Sequence, residues 1–188
     1  LQVGRSRATS KEQGKELING LQQIPHLIEE YLENQGPILE AVEMIKDAKC
    51  VLFLGRGISA PVAKEGALKL MEIAYIPCLA YPAGEMKHGP IALLEEGSPV
   101  VFIAPNDHVK VKTISAMHEC RARGARIILI HEEGDEIASE ADISIPIPRV
   151  HPLLSPLLTV IPTQLIAYHT ALALGCNVDR PRNLAKSV

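Results

Sequence analysis

With 188 residues, 47% of them hydrophobic and 22% charged, the chain has the composition of a folded domain with a real core, not of a disordered or fibrous protein. A formal charge of −3, 3% aromatic residues and no Trp leave no basic field and no stacking platform for nucleic acid, nor any pull toward an anionic membrane. Four cysteines without C-x-x-C or zinc spacing point away from a metal centre and read as reduced thiols of a cytoplasmic protein.

Residues before Ser10 have no pattern of their own and read as a linker from an upstream domain. Ser10 is a candidate N-cap, and Leu17, Leu21, Ile24, Leu27, Ile28 and Leu32 recur at helical spacing through Glu33. Pro25 is expected to kink or divide that helix. A second helix is expected from Pro37 to Ala48, with proline in its first turn.

The pattern then alternates between short apolar runs and helices. Strands are predicted at Cys50–Leu54, Cys78–Tyr81, Val100–Ala104, Ile127–Ile130 and Ile143–Ile147. Helices are predicted at Ala60–Ala74 and His108–Arg123, with a helical turn near Glu136–Ala141. The apolar stretch Leu153–Leu174 contains Pro156, Thr159, Pro162, Thr163, Gln164 and His169, which suits a buried helix better than a membrane span. Strands that are apolar throughout, separated by helices, imply a parallel sheet covered on both faces, a doubly wound α/β sandwich. Ligands of such sheets bind at the carboxyl ends of the strands, which directs attention to the loops after Leu54, Tyr81 and Ala104.

Four segments could carry chemistry. Gly55-Arg56-Gly57-Ile58-Ser59 is either a phosphate cradle, with Ser59 capping the following helix, or a tight turn without a ligand. It lacks the further glycine of a dinucleotide fingerprint. Glu65, Lys69 and Glu72 fall at i, i+4 and i+7 on one helix face. That spacing describes a proton-shuttling carboxylate beside an ammonium, and equally a solvated ion-pair ladder. His88 lies in a Gly- and Pro-punctuated loop after a strand end, a place for proton transfer or for surface decoration. The tail Asp179–Val188 carries Lys186, which is ordinarily solvated unless the tail folds into a pocket that lowers its amine pKa.

Together, Glu65-Gly-Ala-Leu-Lys69-Leu-Met-Glu72, Gly84-Glu85-Met86-Lys87-His88-Gly89-Pro90 and Asn183-Leu184-Ala185-Lys186-Ser187-Val188 resemble the second sugar-isomerase (SIS) domain of the glutamine–fructose-6-phosphate aminotransferase family. Phe53-Leu54-Gly55-Arg56-Gly57 and Asp179-Arg180-Pro181-Arg182 fit as well, and the similarity runs from about Ser10 to the end. The resemblance implies a flavodoxin-like three-layer sandwich with a five-stranded parallel sheet. It divides the chain into a linker at 1–10, an SIS domain at 11–175 and a tail at 176–188. Lys186 would form a Schiff base with a ketose phosphate, and Glu72 would move a proton between C1 and C2. Lys69 would tune Glu72, Glu65 would order the helix, and His88 would assist ring opening across a homodimer interface. Glu65, Ala185 and Ser59 would lie at the substrate. The implied reaction takes fructose 6-phosphate and glutamine-derived ammonia to glucosamine 6-phosphate, with no cofactor and no metal.

The resemblance also implies missing upstream parts: another SIS domain, with most of the phosphate-binding hydroxyls, and a glutamine amidotransferase domain. Met71 stands where the family commonly has Lys. Two other readings share the fold: a stand-alone sugar-phosphate isomerase or deglycase, and a sugar-phosphate-sensing module of a regulator. The first would need a hydroxyl-rich turn where only Ser59 is offered. The second has no use for Glu72, His88 and Lys186 together.

Overall fold

The computed structural model describes residues 9–184. Helix α1 (Lys11–Leu32) and helix α2 (Gly36–Ile45) precede strand β1 (Val51–Gly55), and helix α3 (Ser59–Ala74) leads to β2 (Cys78–Pro82). Two short 3₁₀ turns, Met86–His88 and Pro90–Leu93, connect to β3 (Pro99–Ile103). Helix α4 (Lys110–Arg121), β4 (Arg126–Glu132), β5 (Ile143–Ile147) and helix α5 (Ser155–Ala173) complete the order.

The five strands form one sheet in the order β2-β1-β3-β4-β5, every neighbouring pair parallel. This is the expected sandwich, and the burial explains why the strands read as unbroken apolar runs. Both faces of β1 and β3 are buried along their whole lengths. Val51 and Phe53 join a cluster with α2, α3 and α5, whereas Leu52 and Leu54 join Val100, Phe102, Met117 and Cys120 on the α4 side. Edge strand β5 buries only Ile143, Ile145 and Ile147, and it accommodates Pro146 because an edge has unpaired N–H positions to spare.

Local chemistry explains the helix ends. Ser10 caps α1 as expected: its Oγ accepts from the Gln13 N–H, and the Gln13 side chain accepts from the Ser10 N–H, a reciprocal box. Pro25 does not divide α1, which continues as one helix of 22 residues. Pro162 is likewise carried inside α5, whose inner face buries Leu158, Ile166, Ala167 and Ala171 against α3 and the sheet. In α5 the apolar burial outweighs the single backbone hydrogen bond that proline removes. No helix among the described residues is long and apolar enough to cross a membrane. All four cysteines are free, and burial pushes the Cys78 and Cys120 thiols up to about 12.

Candidate functional site

The turn after β1 is built by two glycines. A Cβ on Gly55 would lie 2.3 Å from the Ser59 carbonyl oxygen, so the chain can fold back only there without a side chain. Gly57, at φ +56°, takes the left-handed conformation that glycine adopts without strain. Because the chain reverses this early, α3 starts one residue sooner than expected. Its N-cap is Ile58, with no side-chain cap bond, and Ser59 is the first helical residue, 1% exposed. Ser59 therefore does not cap the helix. Arg56 lies over Gly84 of the next loop, and the Ala83 N–H donates to the Gly55 carbonyl at 2.8 Å, which ties the loops after β1 and β2 together.

Helix α3 brings Glu65, Lys69 and Glu72 together as the spacing predicts. Lys69 Nζ donates to Glu72 Oε2 at 2.8 Å and lies 3.6 Å from Glu65 Oε1. Each of these side chains is about a third exposed. The hydrogen bond to Glu72 holds the Lys69 ammonium above the usual lysine range, against the opposing effect of partial burial. Glu72 Oε1 has no protein partner among the described residues. The opposite face of α3 buries Val62, Ala63, Ala67 and Leu70. Gly66 sets how near that face comes to α5: a Cβ there would be 2.8 Å from Thr163 Cβ and 3.0 Å from the Phe53 ring.

His88 is not part of this cluster. It ends the first 3₁₀ turn after β2, exposed, with Nε2 3.9 Å from Glu85 Oε2. Beside it is an open cavity bounded by Tyr81, Pro82, Glu85, Gly89, Pro90 and Leu93. Topology keeps the two places apart. Helix α3 leaves the carboxyl edge of the sheet at Ser59, and β2 starts from the opposite edge just after it. Glu72 lies thirteen residues along α3, about 20 Å from Ser59 at the helical rise, near the amino edge. His88 follows the carboxyl end of β2.

The tail returns to the Glu72 end. Its Val178 packs on the core, and Asn177 Oδ1 accepts from the N–H groups of Asp179 and Arg180. The Arg182 N–H then donates to the Tyr75 hydroxyl at 2.8 Å, and the Arg182 guanidinium lies 4.1 Å from the centre of the Tyr75 ring. Tyr75 is the C-cap of α3, three residues beyond Glu72. Ala185 and Lys186 lie outside the described residues.

Sequence reasoning missed Tyr75, because nothing in a helix end marks a tyrosine that will receive a tail more than a hundred residues later. It also missed a polar cavity beyond β3, β4 and β5, bounded by Asn106, Lys110, Glu132, Asp135 and Arg149. Lys110 pairs with Asp135 there, and the Asn106 N–H donates to Glu132 Oε1 at 3.3 Å. Burial raises the Glu132 carboxyl above the usual range, and the Asn106 bond and the Arg149 charge offset this only in part. The one available signal was that Asn106 follows a strand end already marked for inspection.

The sequence profile of the SIS domain matches residues 44–174. Over 187 residues the chain is 50% identical to a glutamine–fructose-6-phosphate aminotransferase [isomerizing] of Thermus thermophilus, spanning 98% of this chain and 31% of that protein. It is 49% identical over 187 residues to the protein of the same name from Chlorobaculum tepidum, spanning 99% and 30%. The solved C-terminal domain of glucosamine-fructose-6-phosphate aminotransferase from Francisella tularensis superposes with a TM-score of 0.85 at 36% identity, over 92% of this chain and 49% of that one. The chain thus spans just under a third of the length of those two curated relatives.

Proposed function

The chain belongs to the SIS domain family, and from that premise we propose that it is the isomerase half-site of an enzyme that makes glucosamine 6-phosphate from fructose 6-phosphate and glutamine-derived ammonia. The observation that carries this reading is the convergence at one end of α3. Glu72, held through one oxygen by Lys69, lies a helical turn from Tyr75, where the segment leading to Lys186 docks. The relatives that bear the aminotransferase name over nearly the whole chain support it.

On this reading, the Lys186 amine attacks C2 of the open ketose and water leaves, giving an iminium. Ammonia then displaces Lys186 at C2. Glu72 takes a proton from C1 while the imine nitrogen gains one, which places the double bond between C1 and C2. Return of the Glu72 proton to C2, with loss of the C1 hydroxyl proton, leaves an aldehyde and an amine. Lys69 fixes the carboxylate that makes both transfers, and Glu65 holds Lys69 from the preceding turn. Ala185 would flank the sugar phosphate, most of whose phosphate contacts would come from the companion SIS domain, whereas Ser59, 1% exposed and about 20 Å along α3 from Glu72, would lie away from the sugar.

His88 would open the sugar ring from a second subunit. The separation of His88 from Glu72 along the sheet supports an assignment in trans, and exposed Leu68 and Met71 beside Lys69 suit a covered face. In the full-length enzyme, Glu72→Gln should abolish isomerisation and leave thermal unfolding unchanged; normal turnover would contradict the proton-shuttle role. Mixing inactive Glu72→Gln and His88→Ala subunits should restore about a quarter of wild-type activity, since half the dimers are mixed and each has one intact site. No recovery in verified mixed dimers would place His88 and Glu72 in the same chain's site.

A further inference from the structure

We infer that Tyr75 is a positioning residue: its hydroxyl and ring clasp Arg182 and fix where the tail delivers the Schiff-base lysine. The inference rests on the assignment of Lys186 made above and adds what controls it.

Three observations carry it. First, Tyr75 adopts φ +61°, a left-handed backbone that a non-glycine residue enters at a cost. Helices commonly end on glycine at such a position, so the tyrosine here takes on backbone strain while supplying a side chain that glycine would lack. Second, both ends of that side chain are used on one residue. The hydroxyl accepts the Arg182 N–H at 2.8 Å, and the ring faces the Arg182 guanidinium at 4.1 Å. Third, the clasp stands one helical turn from Glu72, so whatever it holds is held near the proton-transferring carboxylate.

The consequence follows from tether length. Among the described residues, Val178 is the last of the tail that packs on the core, eight residues before Lys186. With Arg182 clasped, the length of chain leading to Lys186 shortens to four residues, a reach of about 14 Å at full extension. Halving the length of chain to a tethered group raises that group's effective concentration by about threefold through the −3/2 power of length. Because the anchor point is beside Glu72, that concentration is gained where the ketose C2 must be met. The clasp is made between two residues of the chain itself, so on this reading its loss acts on the step that uses Lys186 and leaves the binding of sugar phosphate alone.

The test uses the full-length enzyme, with fructose 6-phosphate and borohydride as the trap and mass spectrometry to locate the adduct. Tyr75→Leu should slow adduct formation on Lys186 at saturating sugar by about threefold or more, with kcat reduced alike and KM for fructose 6-phosphate unchanged. Tyr75→Phe, which keeps the ring, should fall between Leu and wild type. Arg182→Ala should slow trapping on its own, and combining it with Tyr75→Leu should add nothing. Arg182→Lys should recover part of the Arg182→Ala loss. Wild-type trapping rates in Tyr75→Leu and Arg182→Ala would overturn the clasp while leaving Lys186 in place. If Tyr75→Leu unfolds, exposed Arg182 decides the matter alone. A lysine other than Lys186 carrying the adduct in the wild type would instead overturn the underlying assignment.

Discussion

Gly66→Ala tests whether the placement of the Glu65-Lys69-Glu72 face depends on the close approach of α3 to α5. The added methyl would meet Thr163 Cβ at 2.8 Å and the Phe53 ring at 3.0 and 3.1 Å, and both partners are fully buried. Ordinary contact begins near 3.4 Å, so the helices must separate by several tenths of an ångström or the phenyl ring must leave its place. Overpacking of that kind costs about 1–3 kcal/mol. Replacing a helical glycine by alanine returns up to about 1 kcal/mol of backbone propensity, so the expected net loss is smaller than the packing strain. Gly14→Ala in α1 isolates the propensity, because nothing lies within 4 Å of a Cβ there. The two variants should shift the thermal midpoint in opposite directions, Gly14→Ala upward and Gly66→Ala downward. Their separation should be roughly 2–12 °C for a domain of this size. Thermal unfolding of the isolated domain measures both, and turnover of the full enzyme reports whether Glu72 moved. A Gly66→Ala variant as stable as Gly14→Ala would refute the packing argument.

Burial holds the folded-state pKa of Glu132 above its ordinary value of 4.5. The resulting destabilisation is full above the folded-state pKa and fades as pH falls toward the unfolded-state value. Glu132→Gln should therefore stabilise the domain at neutral pH and flatten its stability on the acid side; a lower midpoint at pH 7 would contradict this. Leu70, fully buried in the cluster between α3 and the sheet, should cost about 2–5 kcal/mol as Leu70→Ala. The denaturant midpoint should fall with an unchanged m value, and a loss below about 1 kcal/mol would mean the site collapses around the gap.

The sheet was legible because its strands are buried on both faces, and Val51–Leu54, Val100–Ile103 and Ile127–Ile130 announce this by being apolar at every position. The α3 face was legible because helical spacing alone fixes which side chains share it. Pro25 misled because local propensity cannot see the packing that carries a helix across a proline, whereas the long apolar stretch around Pro162 was read correctly as a buried helix. Ser59 was assigned a cap because the reversal at Gly57 depends on φ, which a sequence does not state. Tyr75 and Arg182 were unreadable as a pair, since a contact spanning 107 residues leaves no local pattern. The polar cavity around Glu132 was hidden for the same reason, Lys110 and Asp135 being 25 residues apart.

The most direct measurement is to trap the intact domain and the full-length enzyme with fructose 6-phosphate and borohydride, then map the adduct by mass spectrometry. The account predicts an adduct on Lys186 in the full-length enzyme that is abolished by Lys186→Arg and still forms in Glu72→Gln, because Schiff-base formation precedes proton transfer. An adduct in the domain alone would mean that this half-site already binds the sugar; its absence there would mean that the companion domain supplies the binding. No adduct on Lys186 in the full-length enzyme would contradict the assignment of this chain as the isomerase half-site.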